Sequence, residues 1–174
     1  MTSVTQPDPP PSVDGGDPAL VPPADGGAAR FWCLERRVLP QHTDHAGVMW
    51  HGAYIGWLEE ARVEALASAG LAYSDLSARG LELPVVSLSI DYRQALLHGE
   101  RVTIRSEVSP RRGVKLPWRS LFVCADGEVA AEARVALVLV DRAAGPSRRL
   151  LRQLPGELER AVARLVAGPD PRWL

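Results

Sequence analysis

The stretch that decides the fold is residues 42–62, which read HTDHAGVMWHGAYIGWLEEAR. It begins with a polar loop around Asp44 and changes to helical spacing after His51 and Gly52. A carboxylate just before a helix N-terminus lies close to backbone N–H groups that have no acceptor within the helix. Ester-type hydrolysis needs this combination, because the N–H groups can stabilise an oxyanion while the carboxylate attacks or activates water. The stretch therefore indicates where a functional site would lie.

The residues after Gly52 predict one long helix over 53–69. Small and apolar residues recur there at steps of three and four, and Gly70 supplies a stop signal. The members of this stripe are Tyr54, Leu58, Ala61, Ala65 and Ala69. A short turn or helix is predicted over 74–79 and a terminal helix over 155–167.

The rest of the chain alternates with a period of two and predicts strands. The predicted strands are 32–38, 86–92, 101–108, 116–124 and 128–141. Asp126-Gly127 is a two-residue hairpin signal between the last two. Residues 135–140 are apolar throughout, which is typical of a central strand or one covered on both faces. The order predicts an α+β fold with one helix against a five-stranded, mostly antiparallel sheet.

The first 30 residues differ in composition from the rest. Residues 1–29 contain seven of the fifteen prolines and no aromatic residue, so we expect residues 1–30 to be a disordered tail. The folded domain is predicted at 31–145, followed by a partly helical extension at 146–174. The start of the chain lacks the features of a secretory signal, and two cysteines give no disulfide framework, so a reduced cytoplasmic setting is expected.

Charge excludes some classes of partner. The net charge is -1, and residues 1–29 hold four Asp but no Glu, Lys or Arg, which leaves the remainder mildly basic. This balance argues against a general nucleic-acid or anionic-membrane binder and suits a small anionic ligand better. No run approaches eighteen uninterrupted apolar residues, so no membrane-spanning segment is expected.

The runs at 43–48, 51–54 and 59–62 resemble the hot-dog-fold acyl-CoA thioesterases. The closest group is the 4-hydroxybenzoyl-CoA thioesterase-like branch, which includes the Tol–Pal-associated acyl-CoA thioesterases, and the resemblance covers roughly residues 34–141. It implies a sheet wrapped around the long helix and a homodimer or homotetramer with active sites at the interface. It also implies an acyl-CoA or acyl-carrier-protein substrate and no cofactor or metal.

The same resemblance implies a role for each residue of the stretch. Asp44 would be the catalytic carboxylate, acting either on the thioester carbonyl or on a water. The backbone N–H groups of His51 and Gly52 would hold the thioester oxygen, and the His51 ring would orient water or substrate. Tyr54 and Glu60 would support the site from behind. At Pro40 the chain departs from the Tol–Pal-associated enzymes, which commonly carry a tyrosine there, so that subgroup's substrate range does not transfer.

Each role has a simpler alternative. Asp44 could only form an Asx turn or cap a helix, and His51 could have a backbone role alone. Tyr54 could be a packing residue, and Glu60 part of a solvated helical charge pattern. A metal site is the other alternative for the histidines around Asp44. The spacing of His42, Asp44, His45 and His51 matches no common zinc pattern, however.

Two further groups of residues are candidates for substrate contacts. Coenzyme A carries phosphates, and the predicted turn between the third and fourth strands supplies the cations Arg111, Arg112 and Lys115. The alternative is an ordinary solvated turn. Walls of an acyl pocket could come from Trp50, Trp57 and Trp118, each of which could equally be core.

Thioester hydrolysis is the first functional hypothesis. The second is a non-catalytic hot-dog module that binds acyl thioesters or serves as an assembly subunit. The intact Asp44 favours the enzyme, because a binding protein has no need of the carboxylate. A hot-dog hydratase is a weaker third hypothesis, since those relatives place their acid–base pair in a different sequence context.

Overall fold

The computed structural model describes residues 31–142 and 149–169. The helices are α1 (His51–Ser68), α2 (Tyr73–Ala78) and α3 (Gly156–Ala167), with a 3-10 turn at Pro40–His42. The strands are β1 (Trp32–Arg37), β2 (Leu81–Glu82), β3 (Val85–Tyr92), β4 (Arg101–Val108), β5 (Lys115–Cys124), β6 (Val129–Val138), β7 (Val140–Asp141) and β8 (Arg149–Leu150). The predicted tail, and the predicted boundary at 145/146, lie outside the described residues. No helix in the described ranges is long and apolar enough to cross a membrane.

The main sheet has five strands in the order β1-β4-β5-β6-β3, and every pair is antiparallel. This confirms the predicted α+β architecture. Strands β5 and β6 are joined at Asp126-Gly127, where Gly127 has a φ of 91° that suits glycine. Strand β6 is internal, as its apolar sequence predicts, and residues 130, 131, 133 and 137 are fully buried.

Helix α1 begins two residues before its predicted start. His51 and Gly52 belong to the first turn, and they are invisible to a pattern search because a first turn needs no apolar residue. The predicted apolar stripe is confirmed, since all five of its members are at most 4% exposed. Gly70 follows the helix with a φ of 81°. The C-terminal end is held by Arg164 of α3, whose Nε donates to the Ala69 carbonyl at 2.7 Å.

The core on the helix side of the sheet consists of two apolar clusters. One contains the first half of α1 and the ends of the strands near residues 102, 122 and 131, and the other contains the second half of α1 together with α3. Between them along β4 and β5 lie Ser106 and Ser120, whose buried hydroxyls are hydrogen-bonded at 2.8 Å. Arg62 is the buried residue at the corresponding point of α1 and pairs with Glu59. A thin polar layer therefore separates the site half of the core from the α3 half.

The last predicted strand is wrong in one respect. The run 128–141 is interrupted at Leu139, and its end, β7, pairs with β2 and β8 in a separate three-stranded sheet. Strands of two residues carry no readable period, so this small sheet could not be predicted. After β8 the chain continues to α3, which completes the second apolar cluster.

Strand β3 forms one edge of the main sheet, and its apolar face is largely uncovered. Val86, Leu88 and Tyr92 are 50%, 40% and 51% exposed, while Ile90 packs against the apolar cluster. The predicted alternation is present, but α1 does not reach far enough across the sheet to bury it. An exposed apolar edge strand is unusual for an isolated chain.

The outer face of the sheet carries a charged network around one buried carboxylate. Glu132 of β6 is 5% exposed and accepts hydrogen bonds from Arg119 at 2.8 Å, Arg93 at 2.7 Å and Arg134 at 2.8 Å. Arg119 also donates to Glu107 at 3.1 Å. The hydrogen bond from Arg119, with the charges of all three arginines, holds the pKa of Glu132 below its ordinary value despite burial.

We expect Glu132→Gln to lower the free energy of unfolding at pH 7 by about 1–3 kcal/mol, the weight of hydrogen bonds to a charged group. Because the folded-state pKa is lowered, the carboxylate stabilises the fold above its unfolded pKa and loses this effect as pH falls through the folded one. The difference in the free energy of unfolding between wild type and variant should therefore become smaller below pH about 4. Urea unfolding at several pH values measures it. Glu107→Gln, which removes the charge from an acceptor of a single hydrogen bond from Arg119, is the matched control and should cost less than half as much.

Candidate active site

The loop at 38–50 is fixed by hydrogen bonds to the connection between β3 and β4. The Met49 N–H donates to the Leu96 carbonyl at 2.8 Å, and the His98 N–H donates to the Gly47 carbonyl at 3.2 Å. The Met49 side chain is buried beneath the loop. The loop is thus attached to the sheet at the end where β1 finishes and β4 begins.

The loop folds back on itself as a short paired segment. The Asp44 N–H donates to the Val48 carbonyl at 2.8 Å, and the Trp50 N–H donates to the His42 carbonyl at 3.1 Å. Asp44 therefore lies about two residue pairs, or roughly 7 Å, along this segment from Trp50, the last residue before α1. Gly47 has a φ of 77°, which allows the turn. The pairing brings the carboxylate and the start of the helix to one place.

Asp44 makes the Asx turn that was the simpler alternative for it. Its Oδ1 accepts hydrogen bonds from the Ala46 N–H at 2.8 Å and the Val48 N–H at 3.2 Å. The side chain is exposed, and within the described ranges Oδ2 has no hydrogen-bond partner. Because the turn uses only one oxygen, it orients the carboxylate and leaves the second oxygen accessible.

The start of α1 has two backbone donors that are not used. The Ala53 N–H donates to the Trp50 carbonyl at 3.0 Å, but the N–H groups of His51 and Gly52 find no acceptor among the residues described. Trp50, in the N-cap position, makes no side-chain cap. Both N–H groups are therefore free, close to the Asp44 loop.

The two histidines of the loop have different surroundings. His51 is exposed, and its ring meets the Trp50 indole edge-on with centroids 5.3 Å apart. His42 is partly buried, accepts a hydrogen bond at Nδ1 from the Leu39 N–H at 3.1 Å, and packs edge-on against Trp57. His42 thus has a structural role, whereas the His51 ring is open to a ligand. In the described part of the chain, no group of three His, Cys, Asp or Glu side chains is arranged to hold a metal ion.

Tyr54 is a buried packing residue behind the loop. It is 2% exposed and lies 5.0 Å from both Tyr92 and Phe122, measured between ring centroids. Burial raises the pKa of Tyr54 to about 12, and the nearby Tyr92 hydroxyl acts in the same direction. Tyr54 therefore connects α1 to the exposed end of β3. That contact makes Tyr92 a residue near the site.

Glu60 pairs with β1, and no hydrogen bond or ion pair joins it to the Asp44 loop among the described residues. Its carboxylate accepts a hydrogen bond from Arg36 Nε of β1 at 2.6 Å, and it is about half exposed. Glu60 lies nine positions after His51, a distance of about 13 Å along the helix axis. The contacts within one chain give Glu60 no part in the Asp44 site, so its supporting role stays a prediction.

Of the three predicted wall residues, only Trp50 is accessible. Trp57 and Trp118 are 2% and 4% exposed and belong to the core, whereas Trp50 is 45% exposed. Local sequence could not separate them, because burial depends on where α1 and β5 pack.

The predicted phosphate-binding turn lies at the opposite end of the sheet in a single chain. It follows β4, roughly 20 Å along the strand from the end near Asp44. Arg111 is partly buried there and donates to the Leu151 carbonyl at 3.3 Å, so it has a structural contact. Arg112 and Lys115 are exposed and close the turn with reciprocal backbone hydrogen bonds.

A second group of cations, which no sequence pattern indicated, lies on the outer face of the sheet, at the end where β1 finishes and β4 begins. A cleft of about 490 Å³ is lined by residues that include Glu35, Arg36, Arg37 and Arg101. Arg37 and Arg101 are directly opposite each other on β1 and β4. Both are exposed, and neither has an ion pair with another described residue. Like charges in opposite positions are unfavourable without an anion. Only the strand register reveals this pairing, so a search for motifs cannot find it.

Comparison with known proteins places the chain among thioesterases and their relatives. The profile of the thioesterase-like superfamily matches residues 38–164. The Synechocystis sp. protein sll0410, to which an esterase activity has been ascribed, is 36% identical over 168 residues, covering 95% of this chain and 99% of its own. The acyl-CoA thioester hydrolase YbgC of Escherichia coli is 27% identical over 123 residues, covering 71% and 92%. DHNA-CoA thioesterase from Staphylococcus aureus superposes with a TM-score of 0.71 at 21% identity, covering 80% and 93%, and confirms the expected hot-dog fold.

Proposed function

The chain belongs to the thioesterase-like superfamily, and we propose that it hydrolyses acyl-CoA thioesters with Asp44 as the catalytic carboxylate. The observation that carries this proposal is the position of the Asp44 carboxylate. Its Oδ1 is held by two hydrogen bonds, its Oδ2 is free, and one short loop connects it to the two unused N–H groups at the start of α1. The E. coli relative supports acyl-CoA as the substrate class.

Two chemical routes fit this arrangement. In one, Oδ2 attacks the thioester carbonyl, the C–S bond breaks, and water hydrolyses the resulting anhydride to free acid. In the other, the carboxylate takes a proton from a water molecule that attacks the carbonyl directly. In both, negative charge develops on the carbonyl oxygen, where the His51 and Gly52 N–H groups can stabilise it. The thiolate leaves and is protonated from solvent.

The non-catalytic alternative explains fewer features of the site. A module that only binds a thioester would use the helix N–H groups but would gain nothing from an exposed carboxylate beside them. A fixed negative charge there would oppose binding of an anionic ligand. The arrangement is therefore better suited to turnover than to retention.

For Asp44→Asn we expect kcat to fall roughly 10²- to 10⁴-fold, the usual contribution of a positioned acid–base group. The amide oxygen can still accept the two loop hydrogen bonds, so the melting temperature should change little. His51→Ala should cost less, because the backbone N–H survives. Thiol release from a panel of acyl-CoA substrates measures both. Near-normal turnover by Asp44→Asn would refute the assignment, and an equally large loss in His51→Ala would place the imidazole in the chemistry.

The phosphates of coenzyme A need cations near the site. We assign these contacts to Arg37 and Arg101 rather than to Arg111, Arg112 and Lys115. The two arginines are exposed on the outer face of the sheet, at the end to which the Asp44 loop is attached, with no ion pair among the described residues. Arg111 is engaged by Leu151, and Arg112 and Lys115 could reach the site only from a partner subunit.

Replacing both Arg37 and Arg101 by Ala should raise KM for acyl-CoA about tenfold or more, as expected for lost hydrogen bonds between charged groups. The value of kcat should stay close to wild type, because these residues are not near the reacting carbonyl. Added salt should weaken wild-type binding and affect the variant less. The matched control is Arg112→Ala with Lys115→Ala. If KM rises more in the control than in the Arg37/Arg101 variant, the phosphate contacts belong to the turn that contains Arg112 and Lys115.

We further propose that the protein is at least a homodimer, with the β3 edges of two chains paired. The support is the exposed apolar face of β3 next to the site, which α1 of the same chain leaves uncovered. A second subunit would extend the sheet and cover Val86, Leu88 and Tyr92. Because Tyr92 contacts Tyr54 behind the Asp44 loop, the partner would complete the surroundings of the site.

Leu88→Glu should therefore dissociate the protein and reduce activity together, because it places a charge in the apolar interface. Light scattering should give about twice the 18.9 kDa chain mass, or a larger multiple, for wild type and one chain mass for the variant. Ser89→Glu, on the opposite face of the same strand, is the control and should leave the mass unchanged. A fully active wild-type monomer at micromolar concentration would contradict both the interface and the shared site.

A further inference from the structure

Trp50 is a large exposed aromatic residue directly beside the two free N–H groups of α1. Its side chain is 45% exposed, although tryptophan is usually well buried. Its backbone is fixed by the hydrogen bond from its N–H to the His42 carbonyl at 3.1 Å. The ring is therefore attached to the rigid base of the Asp44 loop while its surface remains available to a ligand.

The indole is held in one orientation by Gly52 and His51. Its six-membered ring lies over the Cα of Gly52, so closely that a Cβ at this position would overlap it. The His51 ring meets it edge-on at 5.3 Å and 76°. Gly52 is not among the glycines with a positive φ, so its backbone conformation does not require glycine. The requirement is room for the indole.

We propose that Trp50, seated on Gly52, is the specificity-determining wall for the acyl group of the substrate. This inference rests on the proposed function. With the thioester oxygen on the His51 and Gly52 N–H groups, the groups attached to the carbonyl carbon must pass the neighbouring indole. The acyl group suits this apolar surface better than the amide-rich pantetheine arm does. Gly52 lies against one part of the indole, and the exposed part is a flat apolar surface, which favours acyl groups that are planar next to the carbonyl, such as aroyl or 2-enoyl groups.

The test compares two substrates that differ in one ring, which is planar and conjugated with the carbonyl in the first and saturated in the second. Benzoyl-CoA is flat, cyclohexanecarbonyl-CoA is puckered, and both carry the same thiol and a six-carbon ring. Wild type should show the higher kcat/KM for benzoyl-CoA. Trp50→Ala should lower the ratio of the two kcat/KM values roughly three- to tenfold, the range of an aromatic stacking contact. Trp50→Phe should keep most of the ratio. Because Trp50 is exposed, these variants should fold, and equal melting temperatures confirm it.

The role of Gly52 is tested by a double-mutant cycle. Gly52→Ala retains its backbone N–H but displaces the indole, so it should lower the substrate ratio much as Trp50→Ala does. In the Trp50→Ala background, Gly52→Ala should change the ratio little further, because no ring remains to be displaced. An undiminished effect of Gly52→Ala in that background would show that glycine is needed for another reason.

The outcomes separate this inference from the proposed function. If wild type hydrolyses both substrates but Trp50→Ala lowers both values equally, or changes neither, the wall assignment is wrong and the thioesterase proposal stands. If wild type releases no thiol from any acyl-CoA, the proposed function fails and the wall assignment fails with it.

Discussion

The close packing of α1 against the sheet is the constraint on which the rest of the structure depends. Ala53 and Ala61 of the helix are almost fully buried, and the same half of the core contains Ala130, Ala131 and Ala133 of β6. Small side chains let a helix axis approach a sheet closely, and interiors packed to this density do not shift easily. The first turn of α1 is thereby fixed at the end of the sheet. Its free N–H groups have a defined position before any substrate arrives, which is the condition for electrostatic stabilisation of an oxyanion.

The loop that carries Asp44 uses the same end of the sheet as its foundation. Hydrogen bonds to residues 96 and 98, and the buried side chain of Met49, attach it to the strand connection. Its own pairing then brings Asp44 back toward the helix. The Asx turn and the catalytic role are therefore compatible, because the turn consumes Oδ1 and its geometry is what orients Oδ2. In the same way Trp50 connects the loop to the helix and presents a flat surface beside the donors.

Local patterns predicted the elements that have a clear period, and failed where position is decided by tertiary contacts. The apolar stripe of α1, the hairpin at Asp126-Gly127 and the central place of β6 follow from spacing and composition. The sheet of β2, β7 and β8 does not, because two-residue strands have no period. The sequence could not show which of Trp50, Trp57 and Trp118 is accessible, because burial depends on how α1 and β5 pack. The facing arginines of β1 and β4 are 64 residues apart in sequence and meet only through strand register.

The central claim is that a thioester binds with its oxygen on the first N–H groups of α1 and its carbonyl carbon in front of Asp44. The most direct measurement is a crystal structure of the Asp44→Asn protein with a non-hydrolysable acyl-CoA analogue. We expect the carbonyl oxygen within about 3 Å of the His51 or Gly52 nitrogen, the usual distance for an oxyanion donor. The substituted side chain at position 44 should face the carbonyl carbon. An analogue bound with its carbonyl away from the start of α1, while Asp44 remains essential for turnover, would contradict the claim.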